Sequence, residues 1–340
     1  MDFKTLTVKN GGLEMEVCNY GAMLKRLYAP DANGEMGDVV LGFETPEEYI
    51  DARGYFGATV GRVCNRIEGA KVEIDGKLYE LDLNEQKHGN CLHGGKASFD
   101  KMIWDMCECS GDGWKGVRFH LLSPDMQNGF PGNLDITVTY KLTDESELEI
   151  SYQATTDKPT VCALTNHTFF DLSCGKAKNI FDHKIKIFAD FFTPVASNMI
   201  PTGEVLSVAN TALDLREFKK IGDGISSGDA NIAIVGGGYD HNYVLRNSDG
   251  GLVQAASVYD ELSGRTMDVF TTESGIQFYS GTFLPDQNGK DGRVYSKFGG
   301  FALETQAWPD SCNKPHFPSV DLYPEELYLS TTIYKFGVKK

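Results

Sequence analysis

Ile136-Thr137-Val138-Thr139-Tyr140-Lys141-Leu142, a polar turn from Thr143 to Glu147, and Leu148-Glu149-Ile150-Ser151-Tyr152 form the stretch that decides the fold. Apolar side chains fall on every second position in both arms. That is the period of a strand with one buried face, and two such arms across a short polar turn read as a hairpin. The pattern recurs on either side. Leu13, Met15 and Val17 alternate with Glu14 and Glu16, and Ile185 and Ile187 do the same further on. Val72-Glu73-Ile74 and Leu78-Tyr79-Glu80-Leu81 flank Asp75-Gly76, a pair that tolerates the positive φ of a tight I′ turn. Tyr243-Val244-Leu245 and Val253 to Val258 flank Asn247-Ser248-Asp249-Gly250-Gly251, which predicts one more hairpin.

Helical periodicity is nearly absent. Pro46-Glu47-Glu48-Tyr49-Ile50 predicts one or two helical turns, with Thr45 as N-cap and Pro46 at the first helical position. The glycine-rich segment from Gly222 to Gly238 reads as a long surface loop. Many short strands joined by glycine-rich turns, with 37 glycines in the chain, predict an all-β fold, a sandwich or barrel rather than a parallel α/β sheet. No linker, low-complexity tract or charge block divides the sequence. The expectation is one large antiparallel β domain over residues 1–340.

A net charge of −16 argues against nucleic acid, whose phosphates require clustered Lys and Arg, and weakly against anionic membranes and anionic substrates. No apolar run approaches the roughly 20 residues of a membrane-spanning helix. The start Met1-Asp2-Phe3-Lys4 lacks the apolar core of a signal peptide, and the eight cysteines contain no C-x-x-C pair. The expected setting is therefore cytoplasmic with reduced thiols and no disulfide framework, and the expected partner is an uncharged small molecule.

Two residues point to the chemistry. His167, in Thr165-Asn166-His167-Thr168-Phe169-Phe170-Asp171-Leu172, can donate a proton near neutral pH, and Glu304, in Leu303-Glu304-Thr305-Gln306, can accept one. Alternation places Thr165, His167 and Phe169 on one face of a strand, where His167 is open to two readings: a satisfied core residue or a catalytic acid. Glu304 falls beside Gln306 and Trp308, opposite Phe301 and Leu303, and a carboxylate in so apolar a strand is costly unless bonded. Leu92-His93-Gly94-Gly95 follows a turn-rich stretch, so His93 belongs on a loop at a strand end, where two glycines let a ligand approach the backbone. His88, Cys91 and His93 lie close in sequence, but zinc spacing wants a second ligand pair that the chain lacks, so no metal is expected. In Asn65-Arg66-Ile67 the arginine is either a surface charge or a fork of donors for hydroxyl oxygens. Tyr239-Asp240-His241-Asn242-Tyr243 supplies the carboxylate and aromatic rings that suit a hexose.

In this order the motifs resemble those of one family. Gly61-Arg62-Val63-Cys64-Asn65-Arg66-Ile67-Glu68-Gly69 looks like the G-R-x-x-N-R-I-x-G segment of the aldose 1-epimerase (galactose mutarotase) family. Asn90-Cys91-Leu92-His93-Gly94-Gly95 is similar to its N-x-L-H-G-G, Asn166-His167-Thr168 to its N-H-T, and Tyr239-Asp240-His241 to its Y-D-H. Glu304-Thr305-Gln306, followed by Pro309-Asp310 and Phe317-Pro318-Ser319, resembles its C-terminal signature. Phe169, Asp171 and Thr282 stand where the family often has Tyr, Asn and Asn; none of these departures touches the proposed acid or base.

The resemblance implies a large antiparallel β-sandwich, the supersandwich of galactose mutarotases, working without a cofactor on a free aldose as monomer or homodimer. It implies Glu304 as general base, His167 as general acid and His93 as a donor to the reacting oxygens. Arg66, Asp240 and Asn65 would hold the sugar, with Gln277 as a further contact. Three other readings compete. A glycoside hydrolase would pair Glu304 with Asp240. A hexose-6-phosphate mutarotase would want a basic cluster, which no run of the sequence supplies. A non-catalytic sugar-binding protein would not need both Glu304 and His167.

Overall fold

The computed structural model describes residues 2–247 and 250–339. The opening stretch forms the expected hairpin: Leu134–Thr143 pairs antiparallel with Glu147–Thr156, with Tyr140 opposite Ile150 and Leu142 opposite Leu148. This hairpin lies within a nine-stranded sheet. Its order is Asp105–Gly111, Trp114–Ser123, Leu134–Thr143, Glu147–Thr156, Tyr328–Val338, Arg265–Thr271, Val253–Tyr259, Lys184–Ile187 and Lys219–Lys220. A six-stranded sheet runs Phe169–Phe170, Phe301–Gln306, Gly275–Tyr279, Asp240–Leu245, Ala189–Phe192 and Leu206–Ser207. Every paired strand in both sheets is antiparallel.

The two sheets share one apolar core. Tyr140, Ile150, Val269 and Tyr334 from the larger sheet cluster with Tyr243, Ile276, Phe278, Phe301 and Leu303 from the smaller one. The Tyr334 hydroxyl crosses between them and donates to Leu303 O at 3.1 Å. Because side chains alternate, the outer face of the smaller sheet carries the complementary set: Asp240 and Asn242, Gln277 and Tyr279, Glu304 and Gln306. The fold is the all-β antiparallel sandwich expected from the sequence.

Four local expectations need correcting. Asp240–Leu245 and Val253–Tyr259 do not pair; the first sits between Ala189–Phe192 and Gly275–Tyr279, the second between Lys184–Ile187 and Arg265–Thr271. Both edges of each strand are filled by other partners, and the connection carries the chain from one sheet to the other. Ser248 and Asp249 of the expected turn lie outside the described residues. The Gly222–Gly238 segment is not all loop: it holds short helices at Ile221–Ile225 and Ala230–Ile234. Asp229 caps the second by accepting the Asn231 N–H at 2.8 Å. The helix near Pro46 covers Glu48–Asp51, and Thr45 does not cap it. Instead the Glu48 carboxylate accepts the Thr45 N–H at 2.7 Å, the return half of a capping box.

The fourth concerns Thr165 to Leu172, which is two short strands rather than one. Thr165–Asn166 pairs with Thr59–Val60, whereas Phe169–Phe170 pairs with Phe301–Ala302. The chain switches partner at His167-Thr168, and Asn166 braces the break. Its amide donates to Gly57 O and the Tyr140 hydroxyl, both at 2.9 Å, while its Oδ1 accepts the Thr168 N–H at 3.0 Å. The Asp75-Gly76 hairpin forms as expected, with φ of +51° and +74° at the two turn residues.

Candidate active site

Sheet register assembles the floor of the site. Asn242 stands opposite Gln277, and Gln277 opposite Glu304, so three polar side chains form a row across adjacent strands. A cavity of about 390 Å³ opens above the Glu304 end of this row, walled by Tyr55, Asn65, Arg66, Glu85, Leu92, His93, His167, Phe169, Asp240, Tyr279 and Glu304, whereas Asn242 and Gln277 line a small recess that shares Asn65, Arg66 and Asp240 with it. That volume suits a small ligand. His167 Nε2 lies 3.6 Å from Glu304 Oε1, and both residues are buried. His93 packs edge-on against His167, with ring centroids 5.2 Å apart. The sequence-predicted acid, base and second histidine therefore converge from three distant segments.

Burial sets the electrostatics. It pushes the Glu304 carboxyl well above its ordinary value; the nearby Asp240 charge adds to the rise and Arg66 opposes it. It pushes His167 down to about 4. His93 falls well below its ordinary value, first through burial and then through His167 and Arg66. A carboxylate with a raised pKa is a stronger base, and an imidazolium with a lowered pKa is a stronger acid. The two shifts oppose each other in direction, a combination suited to proton transfer.

His93 is held by backbone. Its N–H donates to Asn65 O at 2.9 Å, and the Asn65 N–H returns a bond to His93 Nδ1 at 3.1 Å. Both residues adopt left-handed conformations, with φ of +51° and +56°. An Nδ1 that accepts leaves the ring proton on Nε2, making that nitrogen a donor. This bears on metals. Among the described residues, His93, His167 and Glu304 bring ligand atoms within 4.8 Å of one another. With its Nε2 protonated, His93 lacks the lone pair that metal ligation there requires. The suspected His88, Cys91 and His93 set does not form a ligand group: His88 Nδ1 meets Glu85 Oε1 at 3.1 Å, and Cys91 is buried in an apolar cluster with Ile67. All eight cysteines are unbridged.

Arg66 faces the cavity but is already engaged. Its Nε and Nη2 bind the Glu85 carboxylate at 3.0 and 2.9 Å, and its Nη1 lies 4.0 Å from Asp240. Glu85 also accepts the Asn90 amide at 3.1 Å. Asp240 receives the Gln277 amide at 2.6 Å, and its backbone N–H donates to His241 Nδ1 at 3.1 Å. His241 in turn bonds Asn231 O at 3.1 Å, so the third member of Tyr239-Asp240-His241 anchors the aspartate. Asn65 lines the cavity, but its Oδ1 accepts the Arg66 N–H at 2.9 Å. Several buried atoms have no protein partner: Glu304 Oε2, His167 Nδ1 and Gln277 Oε1. Glu304 and His167 line the cavity and Gln277 the recess beside it, and orphan polar atoms so placed fit a ligand rich in hydroxyls.

Three features depart from the sequence reading. The Gly94-Gly95 pair serves the fold rather than ligand approach, because a Cβ on Gly94 would lie 1.9 Å from Gly61 O. Phe169 does touch the proposed acid: its ring centroid is 5.0 Å from that of His167. Asp171 and Thr282 act elsewhere, Asp171 accepting the Ser173 N–H at 3.0 Å and Thr282 meeting the Ser280 hydroxyl at 3.2 Å. Sequence reasoning missed Glu85, Tyr55 and Phe283. Glu85 carried a signal, a lone carboxylate eight residues before His93 in a turn-rich stretch, but nothing local reveals that it faces Arg66. The fold also gathers Arg53 and Lys87, from separate loops, at the cavity mouth, a basic pair that no run of sequence shows. Arg62, the first arginine of the Asn65-Arg66 motif, is buried away from the cavity, donating to Ser123, Pro124, Pro131 and Gly132 carbonyls.

Known proteins resemble this chain over nearly its whole length. The family model for aldose 1-epimerase matches residues 4–335. Galactose mutarotase of Homo sapiens is 42% identical over 327 residues, spanning 96% of this chain and 92% of its own length. Aldose 1-epimerase of Escherichia coli is 36% identical over 337 residues, spanning 98% of this chain and 95% of its own. The crystal structure of an aldose epimerase homologue from C. elegans superposes with a TM-score of 0.90 at 30% identity, covering 99% of this chain and 100% of that one. The chain belongs to the aldose 1-epimerase family, a family of isomerases.

Proposed function

We propose that the protein is a mutarotase for free hexoses such as galactose and glucose, with Glu304 and His167 as its proton-transfer pair. Glu304 takes the proton from the C1 hydroxyl as His167 delivers one to the ring oxygen, and the C1–O5 bond opens to the aldehyde. Rotation about C1–C2 and closure on the other face returns both protons and restores the pair. The single observation that carries this reading is the buried contact of 3.6 Å between a carboxyl pushed up and an imidazole pushed down. Ring opening moves the proton from the stronger acid towards the stronger base, ending with the neutral carboxyl and neutral imidazole that burial favours. His93 Nε2–H stabilises charge on the reacting oxygens. Asp240, Arg66, Asn65 and Gln277 hold the hydroxyls.

No Lewis acid or cofactor enters this scheme. A hydrolytic reading would need a second free carboxylate, and Asp240 is tied to Gln277 and faces Arg66. The reading stands on polarimetry: freshly dissolved α-galactose and α-glucose should equilibrate far faster with the protein than without it. A folded protein that leaves the spontaneous rate unchanged on both sugars sinks the proposal.

A further inference from the structure

The cavity is graded from floor to mouth. Glu304, His93, His167 and Asp240 are buried at its floor; Arg66, Glu85 and His88 are partly buried above them. Arg53 and Lys87 are exposed at the opening, beside Phe283 and Pro285. Below them the acids are largely answered. Glu85 is held by Arg66, His88 and Asn90, and Asp240 by Gln277. Among the described residues, the Arg53 and Lys87 side chains have no ion-pair or hydrogen-bond partner of their own. Arg53 and Lys87 therefore offer two free cations at the mouth of a chain whose net charge is −16, with the exposed acids Asp51 and Asp286 close in sequence to residues of the mouth.

Two unanswered cations do little for a neutral hexose. In the proposed mutarotase pose, with C1 held at Glu304 on the floor, the far carbons are the part of the sugar left facing this opening. We propose that Arg53 and Lys87 form an anion subsite at the mouth, so that the enzyme also takes aldoses bearing a carboxylate or phosphate on the carbon farthest from C1. The inference rests on the mutarotase reading of the floor, because that reading sets which end of the sugar points outward. The cations also counter locally the repulsion that a strongly acidic protein exerts on an anion.

The test compares galactose, galacturonate and galactose 6-phosphate, following anomer exchange by NMR, on the native chain, Arg53→Gln, Lys87→Gln and the double variant. The double variant should raise KM for an anionic sugar by about fivefold or more and leave galactose within about twofold. Added salt should reproduce the loss on the native chain for the anionic sugar alone. An effect confined to galacturonate assigns the subsite to carboxylates, and one confined to the phosphate assigns it to phosphates. Anionic sugars that fail to turn over while galactose does, or whose KM ignores both substitutions, overturn the subsite. Loss of galactose turnover in the native chain would instead overturn the mutarotase reading beneath it. Both side chains are exposed, so the variants should melt with the native protein.

Discussion

In the proposed mechanism Glu304 is where catalysis and stability pull apart. Its folded pKa is raised, so the folded chain holds that proton more tightly than the unfolded one. Its penalty is absent below the ordinary carboxyl value of 4.5 and grows as pH rises towards the raised value. Glu304→Gln should therefore lose about 10²-fold or more in kcat while melting higher than the native protein at neutral pH. The gap in Tm should close towards pH 4, and a Gln variant that melts lower at neutral pH would contradict the burial argument. In the proposed mechanism the pair shares one mobile proton in its active form, so kcat/KM should follow a bell. Its acid limb lies near 4, where His167 takes a second proton, and its alkaline limb lies above the ordinary carboxyl range. A pH series resolves both limbs; an acid limb near the ordinary histidine value would place His167 outside the burial that defines it. The convergence of His167, His93, Asp240 and Glu304 on one cavity was legible because each sits in a short motif with its own chemistry. Glu85 was not, since its role depends on an arginine 19 residues away.

Elements were readable where the pattern was local. The hairpins around Asp75-Gly76 and Thr143–Glu147 follow from alternation and turn chemistry. The supposed hairpin after Tyr243 failed because alternation marks a buried strand without naming its partner. Glycines divide the same way. Gly76 has φ of +74° with open space around its missing Cβ, so Gly76→Ala should cost only the left-handed strain of about 1–2 kcal/mol. A Cβ at Gly94 would strike Gly61 O, joining the loop that holds His93 to the segment that leads to Arg66. Gly94→Ala should destabilise more and also displace His93, lowering kcat/KM on the order of a hundredfold. Denaturant melts and kinetics on the two variants check the contrast. Equal losses would mean that Gly94 matters only for its φ.

At the scale of the molecule, the site draws on loops near residues 53–55 and 85–93 and on strands near 167, 240, 277 and 304, none adjacent in sequence. Composition supplied the acidic character and alternation the all-β class; neither could show that separate loops bring Arg53 and Lys87 to one cavity. Tyr328–Val338 is the fifth of nine strands across the large sheet, pairing with Glu147–Ala154 on one side and Arg265–Thr271 on the other. Truncation before Tyr328 should therefore abolish folding rather than trim an edge, leaving insoluble protein without cooperative melting. A soluble, active truncation would show that the sheet tolerates a missing centre.

That central position orders events during synthesis. The strand joining the two halves of the sheet is the last of the nine to leave the ribosome, so earlier strands emerge with their neighbour still unmade. Until then Glu147–Thr156 and Arg265–Thr271 each expose a bare edge, which other nascent chains can meet. Closure of the large sheet thus waits on its last-made strand, and the seam on either side of it is where association between unfinished chains is expected.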